Sequence, residues 1–414
     1  MLVGLSACSS SYHAASGADT PGNDLLIRLL RNRHSPVLER VLRQPEHFEY
    51  QILYTQIDRD AANRPTFRSY RLNVDSTRYF YPASTAKLPT ALLALEKLNQ
   101  LAIPGLDKYS TMLTDSGAVG QTAVYEDTTS ATGLPSVAHY VRKILLVSDN
   151  DAYNRLYEFI GQEPLNERLH AKGYTDTRIF HRLEVARTPE QSRQTNPVRF
   201  YDADEQLLYE QPLVTSQRVY EAPAPILKGK GEMIEGHVVM EPKDFSGLNF
   251  YPLEEQQRLL RALLFPESVP EQARFQLTDD DYRFVYQAMS EFPRESRYPK
   301  YENPPYHDSY VKFLQFGDRK TPLDGQIRVF NKVGDAYGFL IDNAYVVDFE
   351  NNLEFLLSAV VLVNENGIFN DGDYAYDTIG FPFLGELGRT LYDYERTRPR
   401  AHTPDLSRFR ISYE

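Results

Sequence analysis

Apolar residues recur at helical spacing through most of this chain and alternate in two other regions, and that division predicts its elements. Residues 23–43 carry a stripe of Leu25, Leu26, Leu29, Leu30, Val37, Leu38, Val41 and Leu42, the period of an amphipathic helix. Residues 50–57 alternate as a strand, and 66–73 return as its hairpin partner across the polar turn 58–64. From Lys87 onward Leu88, Leu92 and Leu95, with Ala between them, predict a buried helix. Further helices are expected from about Ser136 toward Ser148, over 151–169, over 252–264 and over 279–290, where Thr278 serves as N-cap and acids fill the first turn. Residues 326–330, 338–348 and 353–363, rich in Val, Ile, Phe and Tyr, predict strands split by short polar turns. A closing helix is expected over 374–394, weakened by Gly380 and Pro382.

Strands at both ends with helices between predict an α+β fold: one antiparallel sheet built from the N- and C-terminal segments, flanked by helices, plus a helical subdomain. The sheet part falls at about 23–80 and 325–400, and the helical part at about 84–320. An insertion is placed within 200–320, the least readable stretch. Residues 1–22 read as a leader remnant and tether, 23–400 as a single domain and 401–414 as a C-terminal tail. No internal repeat is visible.

Composition narrows the function. With 414 residues, 42% hydrophobic and 25% charged, the chain is of ordinary globular make-up. Its net charge of −12 and lack of a basic cluster exclude a nucleic-acid binder and make an anionic membrane surface a poor partner. Cys8 is the single cysteine, so no intrachain disulfide can form. Leu5-Ser6-Ala7-Cys8 resembles a bacterial lipobox, followed by a Ser-, Ala- and Gly-rich tether. Lipidation of Cys8 is therefore expected, and with it a periplasmic, membrane-anchored and monomeric protein. The apolar leader ahead of Cys8 is truncated, so this reading expects a start further upstream. The nine histidines show no metal-ligand spacing, and Gly229-Lys230-Gly231 lacks a strand-to-helix context. No metal and no cofactor are expected.

Three short motifs carry the candidate chemistry. Ser84 opens the helix that Lys87 begins, and three residues of spacing return the lysine to the serine's face. A serine hydroxyl needs a neighbouring base, and a desolvated lysine can serve. Ser148-Asp149-Asn150 follows the apolar run Ile144-Leu145-Leu146-Val147, and Lys332-Val333-Gly334 follows the strand Gln326-Ile327-Arg328-Val329-Phe330. Each motif alone has a plain explanation: an N-cap serine with a surface lysine, a capping turn, a strand end. In this order they resemble the signature set of class A β-lactamases and their penicillin-binding relatives.

The resemblance implies a β-lactamase/transpeptidase-like fold with the site at the seam between sheet and helices. It implies Ser84 as acylated nucleophile, Lys87 as its proton acceptor and Ser148 as a shuttle to the leaving nitrogen. It further implies that Asn150 holds a substrate amide and orients Lys87. Lys332 would steer an anionic substrate and lower the Lys87 pKa by like-charge repulsion, with Gly334 beside it on the substrate side. The backbone N–H groups of Ser84 and Asp335 would form an oxyanion hole. Glu184, in the Arg182-Leu183-Glu184 sequence, resembles the family's deacylating base; a simple Arg–Glu surface pair is the competing explanation. Two departures stand out. The family has Pro and Asn where this chain has Val185 and Thr188, and Val333 replaces the hydroxyl residue that helps to bind a substrate carboxylate. The expected substrate is a β-lactam or a D-alanyl peptide of peptidoglycan, hydrolysed or transferred through an acyl-enzyme. The alternatives are a penicillin-binding D,D-peptidase, an esterase, and a non-catalytic lipoprotein that binds cell-wall peptide or glycan.

Overall fold

The computed structural model describes residues 22–220, 222 and 224–413. Cys8 and the tether expected around it lie outside the described residues. The first apolar stripe forms two helices rather than one, α1 (Gly22–Asn32) and α2 (Pro36–Leu42), and a short α3 (Pro45–Phe48) follows. Pro36 and Pro45 cause the breaks, since the residue before a proline is driven out of the helical region; Ser35 is extended. The hairpin strands β1 (Gln51–Arg59) and β2 (Pro65–Leu72) follow.

A 3₁₀ turn, Ala83–Ala86, leads directly into α4 (Lys87–Leu101). Then come α5 (Val137–Val147), α6 (Asn150–Ile160) and α7 (Gln162–Ala171). The helix expected over 151–169 is split at Gly161, whose φ of 92° ends α6. After the short helix α8 (Pro189–Arg193) the chain runs through small two- and three-stranded ladders between Gln194 and Asp244. It then forms α9 (Leu253–Leu264) and α10 (Asp279–Ser290), the latter with the Thr278 cap formed.

Three long strands complete the sheet: β3 (Ile327–Ala336), β4 (Phe339–Asp348) and β5 (Leu353–Leu362). The order is β3-β4-β5-β1-β2, every neighbouring pair antiparallel, so both ends of the chain build one sheet. Along β4 alternate residues feed two cores. Phe339, Ile341, Tyr345 and Val347 face the helical part, and Leu340, Ala344 and Val346 face α1–α3 and the C-terminal helix Phe381–Thr397. Burial on both faces explains why these strands read as near-continuous apolar runs. The closing helix is preceded by a π-helical turn, Tyr376–Gly380. The C-terminal residues are no loose tail: Phe409 is buried against Phe265, Phe330 and Tyr345.

Candidate active site

Ser84 lies in the 3₁₀ turn that enters α4 and makes no side-chain cap. Ala83 before it is left-handed, with φ 46°. Lys87 is 0% exposed, which removes the reading of a capping serine beside a surface lysine. Ser148 ends α5 in a left-handed conformation (φ 62°), and Asp149 caps α6 through the N–H of Ala152 at 2.8 Å. The Ser-Asp-Asn segment is therefore both a capping turn and a device that turns two side chains toward Lys87. Left-handed non-glycine residues cost on the order of 1–3 kcal/mol each and persist where the surroundings over-determine them. Ala83, Ser148 and Glu184 (φ 56°) are three such residues converging on one place.

Lys332 comes from mid-strand, since β3 continues beyond the expected end to Ala336. It is 2% exposed and donates to Ser148 Oγ at 2.8 Å and to its neighbour's carbonyl, Val333 O, at 2.9 Å. Lys87 Nζ donates to Asn150 Oδ1 at 2.5 Å, to Ser148 Oγ at 3.3 Å and to the Ser148 carbonyl. One hydroxyl thus receives two ammonium groups. The Ser84 hydroxyl makes no hydrogen bond among the described residues and faces open cavities.

Burial brings Lys87 down from an ordinary lysine value to about 7, against the opposing pull of Asp149, Asp335 and Glu184. Desolvation, not the repulsion expected from Lys332, is the first cause. Lys332 is held well below the usual lysine value, by burial first and by Lys87 second.

The two-residue turn Tyr337-Gly338, both residues with positive φ, joins β3 to β4. In such a hairpin Ala336 and Phe339 form the closing hydrogen-bonded pair, so Asp335, opposite Leu340, directs its N–H away from β4. That outward edge is the side on which the Ser84 turn packs. A Cβ on Gly334 would stand 2.7 Å from Pro82 O and 3.0 Å from Ser84 N, so only glycine permits this approach. Gly334 thus lies against the Ser84 turn, and the Asp335 N–H points from the same strand edge toward the side on which that turn packs.

Glu184 is exposed at the lip of the site. Arg182 does not pair with it. Its guanidinium turns inward to Glu158 at 2.8 Å and to the carbonyls of Gln191 and Gln194, pinning the loop's neck. Asn154 clamps the adjacent Leu183 through both backbone groups, at 2.9 and 3.0 Å. Sequence reasoning missed Asn154 and Glu158. Their signal was helical spacing: four and eight residues past Asn150 on α6, the same face.

Also missed was a buried polar layer beneath Lys332. Lys312 Nζ reaches Met289 O at 2.5 Å and Asn331 Oδ1 at 2.8 Å, and Asn331 Nδ2 donates to Asp342 at 2.8 Å. Burial lifts Asp342 to about 6 and lowers Lys312 to about 7. The available signal was Asn331 and Asp342 standing inside otherwise apolar strands.

A groove of about 460 Å³ is lined by Ser84, Ser148, Asn150, Glu184, Val333 and Asp335, with Tyr306, His307, Tyr310 and Lys320 from the expected insertion on its outer wall. A second cavity of about 390 Å³ shares Ser84, Asn150, Glu184 and Asp335 and adds Tyr337 and Tyr374. Ser84 sits where the two meet. Another cavity, of about 500 Å³, lies behind the Glu184 loop and contains neither Ser84 nor either lysine. Among the described residues no group of three or more His, Cys, Asp or Glu is placed to hold a metal ion, and no helix is long and apolar enough to cross a membrane.

Residues 38–219 match the β-lactamase enzyme family. The matched stretch carries Ser84, Lys87, Ser148, Asn150 and Glu184; Lys332 lies beyond it and reaches the site through the sheet. The likeness to that family rests on this stretch, which is less than half of the chain. No curated protein matches it by sequence. Among solved structures it is similar to a β-lactamase from Sphaerobacter thermophilus, with 13% identity, 90% of this chain and 99% of that chain covered, and a TM-score of 0.45. It is similar to PBP-A at 14% identity, with 89% and 95% covered and a TM-score of 0.49. A class A β-lactamase from Clostridium kluyveri shows 13% identity, 86% and 97% covered and a TM-score of 0.47.

Proposed function

We propose that this β-lactamase-like chain is a serine hydrolase that forms an acyl-enzyme on Ser84 with an amide, lactam or ester. The observation that supports it is the pair of buried ammonium groups directed at Ser148 Oγ, one turn from a solvent-facing Ser84. In the reaction the neutral Lys87 amine takes the Ser84 proton as Oγ bonds to the carbonyl carbon, and the oxyanion rests on the N–H groups of Ser84 and Asp335. The bond to the leaving nitrogen or oxygen then breaks, and the proton passes from Lys87 through Ser148 to that atom. Glu184 removes a proton from the incoming water, the hydroxide attacks the acyl carbon, and the carbon–Oγ bond breaks as Ser84 regains its proton. A β-lactam and a D-alanyl peptide of the cell wall are the two substrate classes of this reading, in a protein that acts outside the cytoplasmic membrane.

Treating the protein with a fluorophosphonate and with a fluorescent penicillin, beside the Ser84→Ala variant, tests the proposal. Turnover of the penicillin supports a lactamase, and a lasting adduct lost in Ser84→Ala supports a D,D-peptidase. Val333 and the unengaged Ser84 hydroxyl favour one second reading, a binding protein on the same scaffold; it stands if neither probe modifies Ser84 while cell-wall peptide still binds.

A further inference from the structure

The groove's charge bears on what it accepts, an argument that rests on the acyl-enzyme reading above. Along β3 the position after Lys332 is Val333, which borders the groove but is 1% exposed, its side chain packed in the core behind β3 and carrying no hydrogen-bond donor. A substrate carboxylate laid there would lose hydration and gain no partner. Two residues on, Asp335 is exposed and faces both cavities that meet at Ser84. Glu184 faces the same two cavities. Neither carboxylate has an ion-pair partner within 4.0 Å among the described residues.

The nearby cations act on them only from behind the groove surface: burial raises the Asp335 carboxyl above its ordinary value, and Lys332 and Lys87 pull it part of the way back. Lys87 and Lys332 are 0% and 2% exposed, line neither cavity, and spend their protons on Ser148, Asn150 and the Val333 carbonyl. Lys320, the basic residue on the outer wall, stands 4.0 Å from Asp377, so those two charges cancel. Asp149 stands 3.6 Å from Lys143, which pairs more closely with Asp127 at 3.1 Å. The surface next to Ser84 is left negative, and the rings of Tyr306, Tyr310, Tyr337 and Tyr374 border it, faces that suit an ammonium group.

We propose that this groove selects acyl substrates bearing a positive charge, an amine on the acyl chain within reach of Asp335, and that Asp335 is the residue that sets the preference. Anionic substrates are disfavoured twice, by the missing hydroxyl at Val333 and by the carboxylate of Asp335.

The test compares p-nitrophenyl esters of 6-aminohexanoate, heptanoate and adipate, which differ in terminal charge, at equal ionic strength. The expected order of kcat/KM is cationic, neutral, anionic, with steps of about tenfold, the scale of a charge contact in a water-open groove. In Asp335→Asn the ratio of cationic to anionic rates falls by about tenfold or more, and added salt compresses the wild-type ratio toward that of the variant. Equal or reversed rates with Ser84 acylated, or a ratio unchanged in Asp335→Asn, overturn the inference alone. If neither the esters nor a fluorophosphonate modify Ser84, the acyl-enzyme reading falls and the inference falls with it.

Discussion

Lys332 Nζ stands 2.8 Å from the hydroxyl of Ser148. Lys87 approaches the same oxygen from the other side at 3.3 Å. Two buried ammonium groups sharing one acceptor disfavour full protonation of the pair, and burial already holds Lys87 near 7. The neutral amine is the reactive form, so acylation by a neutral p-nitrophenyl ester is expected to rise with pH through about 7 and then level off. The initial rate of p-nitrophenol release across pH 5.5–9, about 1.5 units on either side, reads this directly.

The same shift has a stability consequence of fixed sign. The Lys87 pKa is lower in the folded chain than in the unfolded chain, so between about 7 and the ordinary value of 10.5 the unfolded chain binds more protons. Stability from this group therefore rises with pH across that window, and the penalty is fully present below it. Lys87→Met is expected to abolish acylation and to raise stability at pH 6 by about 1 kcal/mol or more. Chemical denaturation at pH 6 and pH 9 checks it: the gain shrinks at the higher pH.

Much of this fold was legible in the sequence. The hairpin β1–β2, helices α4, α9 and α10 and the three C-terminal strands follow from period and turn residues alone. The motif order also brought Ser84, Lys87, Ser148 and Lys332 onto elements that do converge. The long-range terms were not legible. Nothing local reveals that Lys332 turns inward to Ser148, that Arg182 chooses Glu158 over Glu184, or that Phe409 returns to the core. Those depend on which surfaces meet, and a single sequence read locally carries no such pairing. Helix 23–43 failed for a local reason, the weight of Pro36 against an intact apolar stripe.

Glu184→Gln tests deacylation apart from acylation. The variant is expected to react with a neutral ester at a near-normal first turnover and then to hold the acyl group, with deacylation slowed about 10²–10⁴-fold. A burst of one equivalent followed by a slow steady state is the signature.

Asn154→Ala acts on the same step from a distance. It removes both hydrogen bonds to the Leu183 backbone, leaving a buried N–H and C=O unpaired at a cost of about 1–3 kcal/mol. Deacylation is expected to slow while the acylation rate stays closer to wild type, since the Ser84–Lys87 side is untouched. Single-turnover kinetics separate the two rates.

Gly334→Ala tests the seam. The added methyl would meet Pro82 O at 2.7 Å and Ser84 N at 3.0 Å, and must push β3 away from the Ser84 turn. A loss of about 1–3 kcal/mol in stability is expected, with acylation falling by a larger factor than stability alone accounts for, because the two oxyanion donors separate. Thermal melting beside fluorophosphonate labelling rates measures both.

The central claim is that Ser84 is the group that becomes acylated. Intact-mass spectrometry of the protein and of Ser84→Ala after exposure to a neutral fluorophosphonate tests it most directly. The account predicts one added phosphonyl group on the wild-type chain, placed on Ser84 by peptide mapping, and none on the variant. An unmodified wild-type chain, or the same adduct on Ser84→Ala, would contradict it.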